Sequence, residues 1–252
     1  MTQPLVTSSV SDHVATILFN RPAQLNAMNS RMIDALCDAL AEASANPQVK
    51  VVILGAHGTS FMAGADIKEY AQLNPQSFAD FQERGARVYE LIEQADKVVV
   101  AAVNGYALGG GFEIALAADL VVAQRDAKLG LPESRLGLVP GGGGTQRLLR
   151  KLPYNRAVEL LMTGAARPAP LWHEWGVVNV LAEGDALAAA RQWCERFAEA
   201  SLPALVALKR LARDARDLPF DAGLARERQA LNALHETPYA LARIDEFARK
   251  SA

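Results

Sequence analysis

Lysine and arginine do not outnumber the acids in this chain: 26 basic side chains stand against 28 acidic ones, a formal net charge of −2. A protein that grips nucleic acid through its phosphates needs an excess of cations to displace counterions, so no nucleic acid is expected as a partner. The densest basic stretch, Lys209-Arg210-Leu-Ala-Arg213-Asp-Ala-Arg216, has helical spacing and includes an acid, the pattern of a solvated helix face. Cysteine is scarce. Cys37 and Cys194 lie far apart, form no Cys-x-x-Cys pair, and read as two reduced thiols rather than a disulfide framework. Histidine is scarce too: His13, His57, His173 and His235 are scattered without metal-ligand spacing, so no metal is expected. No apolar run approaches the roughly 18 residues that a membrane span needs, so no membrane association is expected. The first twenty residues hold no Lys or Arg, which argues against a secretory signal and an Arg-rich transit peptide, and a cytoplasmic protein is expected. Phosphate-binding signatures are missing as well. No Gly-x-x-x-x-Gly-Lys-Ser/Thr occurs, and no Gly-x-Gly-x-x-Gly follows the first strand.

What is present is an ordinary globular composition, 252 residues with half of them apolar and 21% charged. The length suits one large domain with an appended subdomain, divided here as 1–195 and 196–252. Residues 13–19 read as a strand ended by the turn-prone Asn20-Arg21-Pro22. Ser30 is expected to cap a helix in which Met32, Ile33, Leu36 and Leu40 recur at helical spacing. Residues 51–54 and 98–103 are continuously apolar strands, as expected where helices cover both faces of a sheet, and a helix over 77–94 lies between them. This alternation predicts a parallel α/β layer fold. After about residue 145 the pattern turns helical, with periodic segments at 154–163, 184–200, 202–215, 219–234 and 238–249.

Two neighbouring strands each run into a glycine beside a helix start, at Ala63-Gly64-Ala65-Asp66 and at Gly109-Gly110-Gly111. The first N–H groups of a helix have no internal partner and point out from the positive end of its dipole. Two such groups converging on one oxygen would make an oxyanion hole; tight helix–strand packing is the alternative use of the glycines. Glu113 sits one turn into the second helix, among Phe112, Ile114, Ala115 and Leu116, where a carboxylate is expected to be buried. Glu133 follows Leu131-Pro132 and reads as the start of another helix just after a strand. Two carboxylates on separate elements suit acid and base work when their environments differ, although each alone also suits a helix start.

Three segments carry a resemblance: Phe61-Met-Ala-Gly-Ala-Asp-Ile-Lys-Glu69, Ala101-Ala-Val-Asn-Gly-Tyr-Ala-Leu-Gly-Gly-Gly-Phe-Glu113 and Leu131-Pro-Glu-Ser-Arg-Leu-Gly-Leu-Val-Pro-Gly-Gly-Gly-Gly-Thr-Gln-Arg147. In order and spacing they resemble the crotonase superfamily, and within it the enoyl-CoA hydratases, over about residues 4–235. The resemblance implies an α/β fold of the ClpP/crotonase type, a spiral of ββα units with a C-terminal helical trimerisation region, assembled as a homotrimer or as a hexamer of two trimers. It implies an acyl-CoA thioester as substrate and no separate cofactor, since coenzyme A arrives as part of the substrate. It assigns the oxyanion donors to the N–H groups of Ala65 and Gly110, the base toward water to Glu113, and delivery of the α-proton to Glu133. Contacts to the coenzyme or the water are implied for Gln24, Leu25, Ala63, Ala65, Asp66, Ile67, Lys68, Gly110 and Gly141. The reaction implied is hydration of a trans-2-enoyl-CoA to a 3-hydroxyacyl-CoA in acyl-CoA degradation; the alternative is an isomerase, or a dehydratase of a functionalised, carnitine-type acyl-CoA. A third reading is a binding protein without catalysis, against which both intact glutamates count. Departures from the family are Ala23 and Gln24 where many hydratases have a phosphate-binding Lys after Arg21-Pro22, an unusual stretch with Trp172 and Trp175, and a tail that keeps Phe247 and Lys250 but lacks the family's usual ending. Met62 and Phe112 are candidates for tuning the acyl slot.

Overall fold

The computed structural model describes residues 3–197 and 199–250. The chain divides into two compact units, Met1–Ala198 and Glu199–Ala252.

The first unit is built on a six-stranded sheet. β1 (Val6–Ser11) and β2 (Val14–Phe19) form an antiparallel hairpin, with Asp12 and His13 at its tip in left-handed conformation (φ 49° and 64°). Two consecutive left-handed residues match the strand twist in a two-residue hairpin. From β2 the sheet is parallel, continuing through β3 (Val51–Ala56) and β4 (Val98–Val103). Every residue of β4 is buried, which is why that strand shows no alternation in sequence. α1 (Ser30–Ala45) buries Met32, Ile33, Leu36 and Leu40. Its cap is Asn29, whose side chain accepts the Met32 N–H at 2.9 Å; Ser30, expected as the cap, is already helical and hydrogen-bonds to Glu69. α2 (Ile67–Tyr70) and α3 (Pro75–Gln94) follow β3, the latter opened by a reciprocal capping box between Asn74 and Ser77.

After β4 the chain steps into a second, three-stranded sheet as β5 (Tyr106–Leu108), then turns into α4 (Gly110–Ala117). The same step recurs as β6 (Leu120–Gln124), β7 (Lys128–Gly130), a 3-10 turn over Glu133–Leu136 and α5 (Gly144–Leu149). It also occurs in outline after β3, where Met62 bridges to Ala107 of β5. This is the expected spiral of ββα units. Each turn leaves the end of a strand pair and the start of a helix at the same edge.

α6 (Tyr154–Thr163), α7 (Ala169–Glu174) and α8 (Ala186–Cys194) complete the unit. The expectation of an all-helical stretch beyond residue 145 is corrected by β8 (Arg167–Pro168), antiparallel to β7, and β9 (Val180–Ala182), parallel to β6. Strands this short have no periodicity of their own; pairing partners distant in sequence decide them. The helix expected over 184–200 is likewise shorter, ending in a 3-10 turn at Glu195–Phe197.

In the second unit α9 (Leu202–Asp214), α10 (Phe220–His235) and α11 (Pro238–Lys250) follow one another, and Arg226 of α10 pairs with Asp214 of α9. Several of their apolar residues stay open to solvent, Phe220 at 78% and Leu231 at 65%, and others are half-buried. No helix among the described residues is long and apolar enough to cross a membrane.

Candidate active site

Three loops of the first unit meet where the ββα turns end. The 61–66 loop is pinned to the chain before α1: Met28 N–H donates to Gly64 O (2.8 Å) and Asp66 N–H to Met28 O (2.9 Å). Gly64 is left-handed (φ 106°), and a Cβ there would lie 3.3 Å from Leu108 O. The α4 loop turns on Gly109 (φ 51°), where a Cβ would stand 3.7 Å from Gly64 Cα and 3.0 Å from Glu133 Oε1. Only glycine allows the two backbones and the carboxyl group to come this close. Ala65 and Gly110 each bring an N–H that has no hydrogen-bond partner among the described residues. Both residues line one cavity of about 420 Å³.

Glu113 lies one turn into α4 and is 2% exposed. Its Oε1 accepts N–H bonds from Gly142 (2.8 Å), in the glycine-rich loop ahead of α5, and from Gly144 (2.7 Å), the first residue of that helix. Burial raises its pKa above the ordinary carboxylate value, and these two N–H groups, the Arg147 cation and the Tyr89 hydroxyl oppose that rise. Glu133 opens a 3-10 helix after β7, at the helix start expected from the sequence but only one turn long. Its Oε2 is buried with no hydrogen-bond partner among the described residues. Burial, aided by the nearby Glu113 charge, lifts the Glu133 pKa to about 7. The two acids thus share a cavity but not an environment. Glu113 is solvated by peptide dipoles that favour its anion; Glu133 is left with few reasons to ionise.

Of the residues assigned from the sequence, Glu113, Glu133, Ala63, Ala65, Ile67, Gly110 and Gly141 line the cavity. Gln24, Leu25, Asp66 and Lys68 do not. Gln24 and Lys68 are exposed, Leu25 O accepts the Ala63 N–H (3.0 Å), and the Asp66 carboxylate caps α2 and pairs with Arg21 (2.9 Å). Leu25 and Asp66 therefore shape the loop that carries Ala65. Met62 and Phe112 are wholly buried and do not reach the cavity; Phe112 packs on Trp172 with ring centroids 4.7 Å apart. The apolar wall comes instead from Tyr70, Phe78, Phe81, Leu138 and Val139. Sequence reasoning missed Tyr89, Arg147 and the particular donors Gly142 and Gly144. The run of four glycines was their only signal. Among the described residues no group of three or more His, Cys, Asp or Glu side chains is placed to hold a metal ion.

Comparison with known proteins agrees with this geometry. The family model described as Enoyl-CoA hydratase/isomerase matches residues 9–250. The 2,3-dehydroadipyl-CoA hydratase of Escherichia coli K12 is 34% identical over 243 residues, 96% of this chain and 94% of that protein. The carnitinyl-CoA dehydratase of Salmonella typhimurium is 36% identical over 212 residues, covering 83% of this chain and 80% of that one. Among solved structures, the enoyl-CoA hydratase of Bacillus anthracis superposes with a TM-score of 0.93 at 32% identity, covering 98% of this chain and 97% of that chain. With its fold, its glycine loops and its sequence all in agreement, this chain belongs to the enoyl-CoA hydratase/isomerase family of the crotonase superfamily.

Proposed function

We propose that the protein hydrates trans-2-enoyl-CoA thioesters to 3-hydroxyacyl-CoA, with coenzyme A entering as part of the substrate and no resident cofactor. The observation that carries this reading is the unequal treatment of the two carboxylates in one cavity. Glu113, held by two N–H groups, is the base: it takes a proton from water as the water oxygen bonds to C3. Charge then moves onto the thioester oxygen as an enolate, which the Ala65 and Gly110 N–H groups stabilise. Glu133, with its pKa near 7, holds the proton that C2 receives. At the end of a turnover Glu113 carries the proton and Glu133 is the anion, so exchange with solvent restores the start. An isomerase needs one acid–base residue, whereas two acids with opposed environments suit addition or removal of water. Likeness to a carnitinyl-CoA dehydratase supports a second reading with the same residues, removal of water from a functionalised acyl-CoA. We further propose a cytoplasmic homotrimer or pair of trimers, supported by the apolar residues that α9 to α11 leave open.

The test is loss of enoyl-thioester absorbance on mixing with crotonyl-CoA. Glu113→Gln and Glu133→Gln, each folded by circular dichroism, are expected to lose about 10²–10⁴-fold in kcat. Isomerase turnover that survives Glu113→Gln would overturn the hydratase reading. Turnover of a carnitine-type hydroxyacyl-CoA without turnover of crotonyl-CoA would favour the second one.

A further inference from the structure

Glu113 depends on a loop that has little to hold it. Residues 141–144 are all glycine, and Gly143 sits at φ 86°. Glycine gives up more conformational freedom on ordering than any other residue. Yet Gly142 and Gly144 must present their N–H groups to one oxygen atom. Arg147, one turn into α5, reaches back over this loop and donates through Nη1 to the Gly142 carbonyl. Its Nε and Nη2 grip both oxygens of Glu93 on α3, at 2.7 and 2.8 Å. The guanidinium also lies over the Tyr89 ring, 5.5 Å from its centroid, and Tyr89 is the side chain that a Cβ at Gly142 would strike. One residue, Gly142, therefore separates an ion pair from the base. Gly142 takes the Arg147 bond on its C=O and makes the Glu113 bond with its N–H.

We propose that Arg147 is a positioning residue for the reaction, clamping the glycine loop to α3 so that the Gly142 and Gly144 N–H groups stay aimed at Glu113. The assignment rests on the hydratase reading for its kinetic consequence. A planar fork serves three acceptors here, which the point charge of lysine does not reproduce. Other groups that act on the Glu113 charge are Tyr89 on α3, Tyr70 on α2 and Glu133 on the 3-10 turn, whereas the side-chain bond to the Gly142 carbonyl comes from Arg147.

The experiment compares Arg147→Lys and Arg147→Gln with the parent protein. Weaker N–H donation leaves burial to raise the Glu113 pKa further, and Arg147→Lys, which keeps the cation that itself lowers that pKa, separates this effect from loss of charge. Because the base must be an anion, the acid limb of kcat/KM against pH should move to higher pH. A loss in kcat of about 10²-fold is expected, as for other small misplacements of reacting groups, with KM for the thioester little changed. A purely structural role would lower the folded fraction and leave the limb where it is. Folded variants with the parent limb and kcat overturn the proposal, and so does failure of both variants to fold. The Glu113 carboxyl stretch, isolated by infrared difference against Glu113→Gln, gives the same pKa without turnover. If the parent hydrates nothing, the hydratase reading fails while this band still decides whether Arg147 sets the state of Glu113.

Discussion

Asn26 shows how much a single polar side chain can hold. It is fully buried in left-handed conformation (φ 56°), a region that asparagine visits more readily than most residues. Its Oδ1 accepts the Arg21 N–H (2.7 Å), and its Nδ2 donates to His57 O (2.9 Å) and Ser60 O (2.7 Å), which uses both side-chain donors and one acceptor lone pair. The turn it braces also places Leu25 O, which receives the Ala63 N–H two residues before the Ala65 donor. Asn26→Ala leaves one N–H and two carbonyls without their partner, and a loss of about 3 kcal/mol in unfolding free energy is expected. Asn26→Gly should recover about 1 kcal/mol of that, because it removes the left-handed strain but restores no bond. Urea midpoints of the three proteins measure both steps; an unchanged midpoint for Asn26→Ala would show that the bonds carry no net weight. Nothing in the sequence singles out Asn26, since two of its three partners, His57 and Ser60, lie over thirty residues away in the loop after β3. Glu113 and Glu133 were legible for the opposite reason. Glu113 stands out as an acid among Phe112, Ile114, Ala115 and Leu116, and Glu133, which alone also suits a helix start, stands out through its pairing with Glu113 and the motif that carries it.

At the scale of the element, α4 matters most, because its first peptide carries the proposed oxyanion donor. Gly110 is the first helical residue, preceded by left-handed Gly109. Proline is accepted at the first position of a helix, where its fixed φ fits and its missing N–H breaks no internal bond. Gly110→Pro therefore removes the donor while leaving α4 able to form. Gly110→Ala keeps the donor and adds a Cβ that meets the Tyr89 hydroxyl at 3.2 Å and the flexible Met28 Cε at 3.3 Å. Loss of the donor is expected to lower kcat by about 10²–10³-fold, and the alanine variant should retain most of its activity. Equal losses in the two would mean that crowding, not the N–H, is what the position controls. β3 and β4 were readable because apolar runs such as Val98–Val103 suit burial on both faces, whereas β6, short and ending in Gln124, was not read as a strand. β1 was not, because its Ser- and Thr-rich run lies at the sheet edge and buries no residue fully. β8 and β9 escaped because two or three residues cannot declare a period, and the sheet assigns them only once β6 and β7 are in place. The acyl wall was misread for a related reason. Met62 and Phe112 stand next to the motifs in sequence, but alternate positions on a strand or helix point away from the cavity and into the core.

For the whole molecule, the site has a cost that pH should reveal. Glu133 ionises near pH 7 in the folded protein and near its ordinary value of 4.5 when the chain unfolds. Below 4.5 both states hold the proton and the group is neutral to folding. Between 4.5 and about 7 the unfolded chain gains the free energy of ionisation and the folded one does not, so stability falls as pH rises through this window, then levels off. Glu133→Gln removes the titration while keeping the size of the side chain. The variant should be more stable than the parent at pH 8, and the gap should be smaller at pH 5. Unfolding midpoints at the two values decide it, and a gap that ignores pH would mean Glu133 is not held protonated by its surroundings. Glu113 is expected to show less of this behaviour, because Gly142 and Gly144 return part of the solvation that burial removes. The fold thus places two buried acids around the same space, a strained one lifted to about 7 and one raised by burial but held by two N–H donors. The strained one is the group that the proposed hydration would use as a proton donor near neutral pH, so relieving the strain by substitution should raise stability and abolish turnover in the same variant.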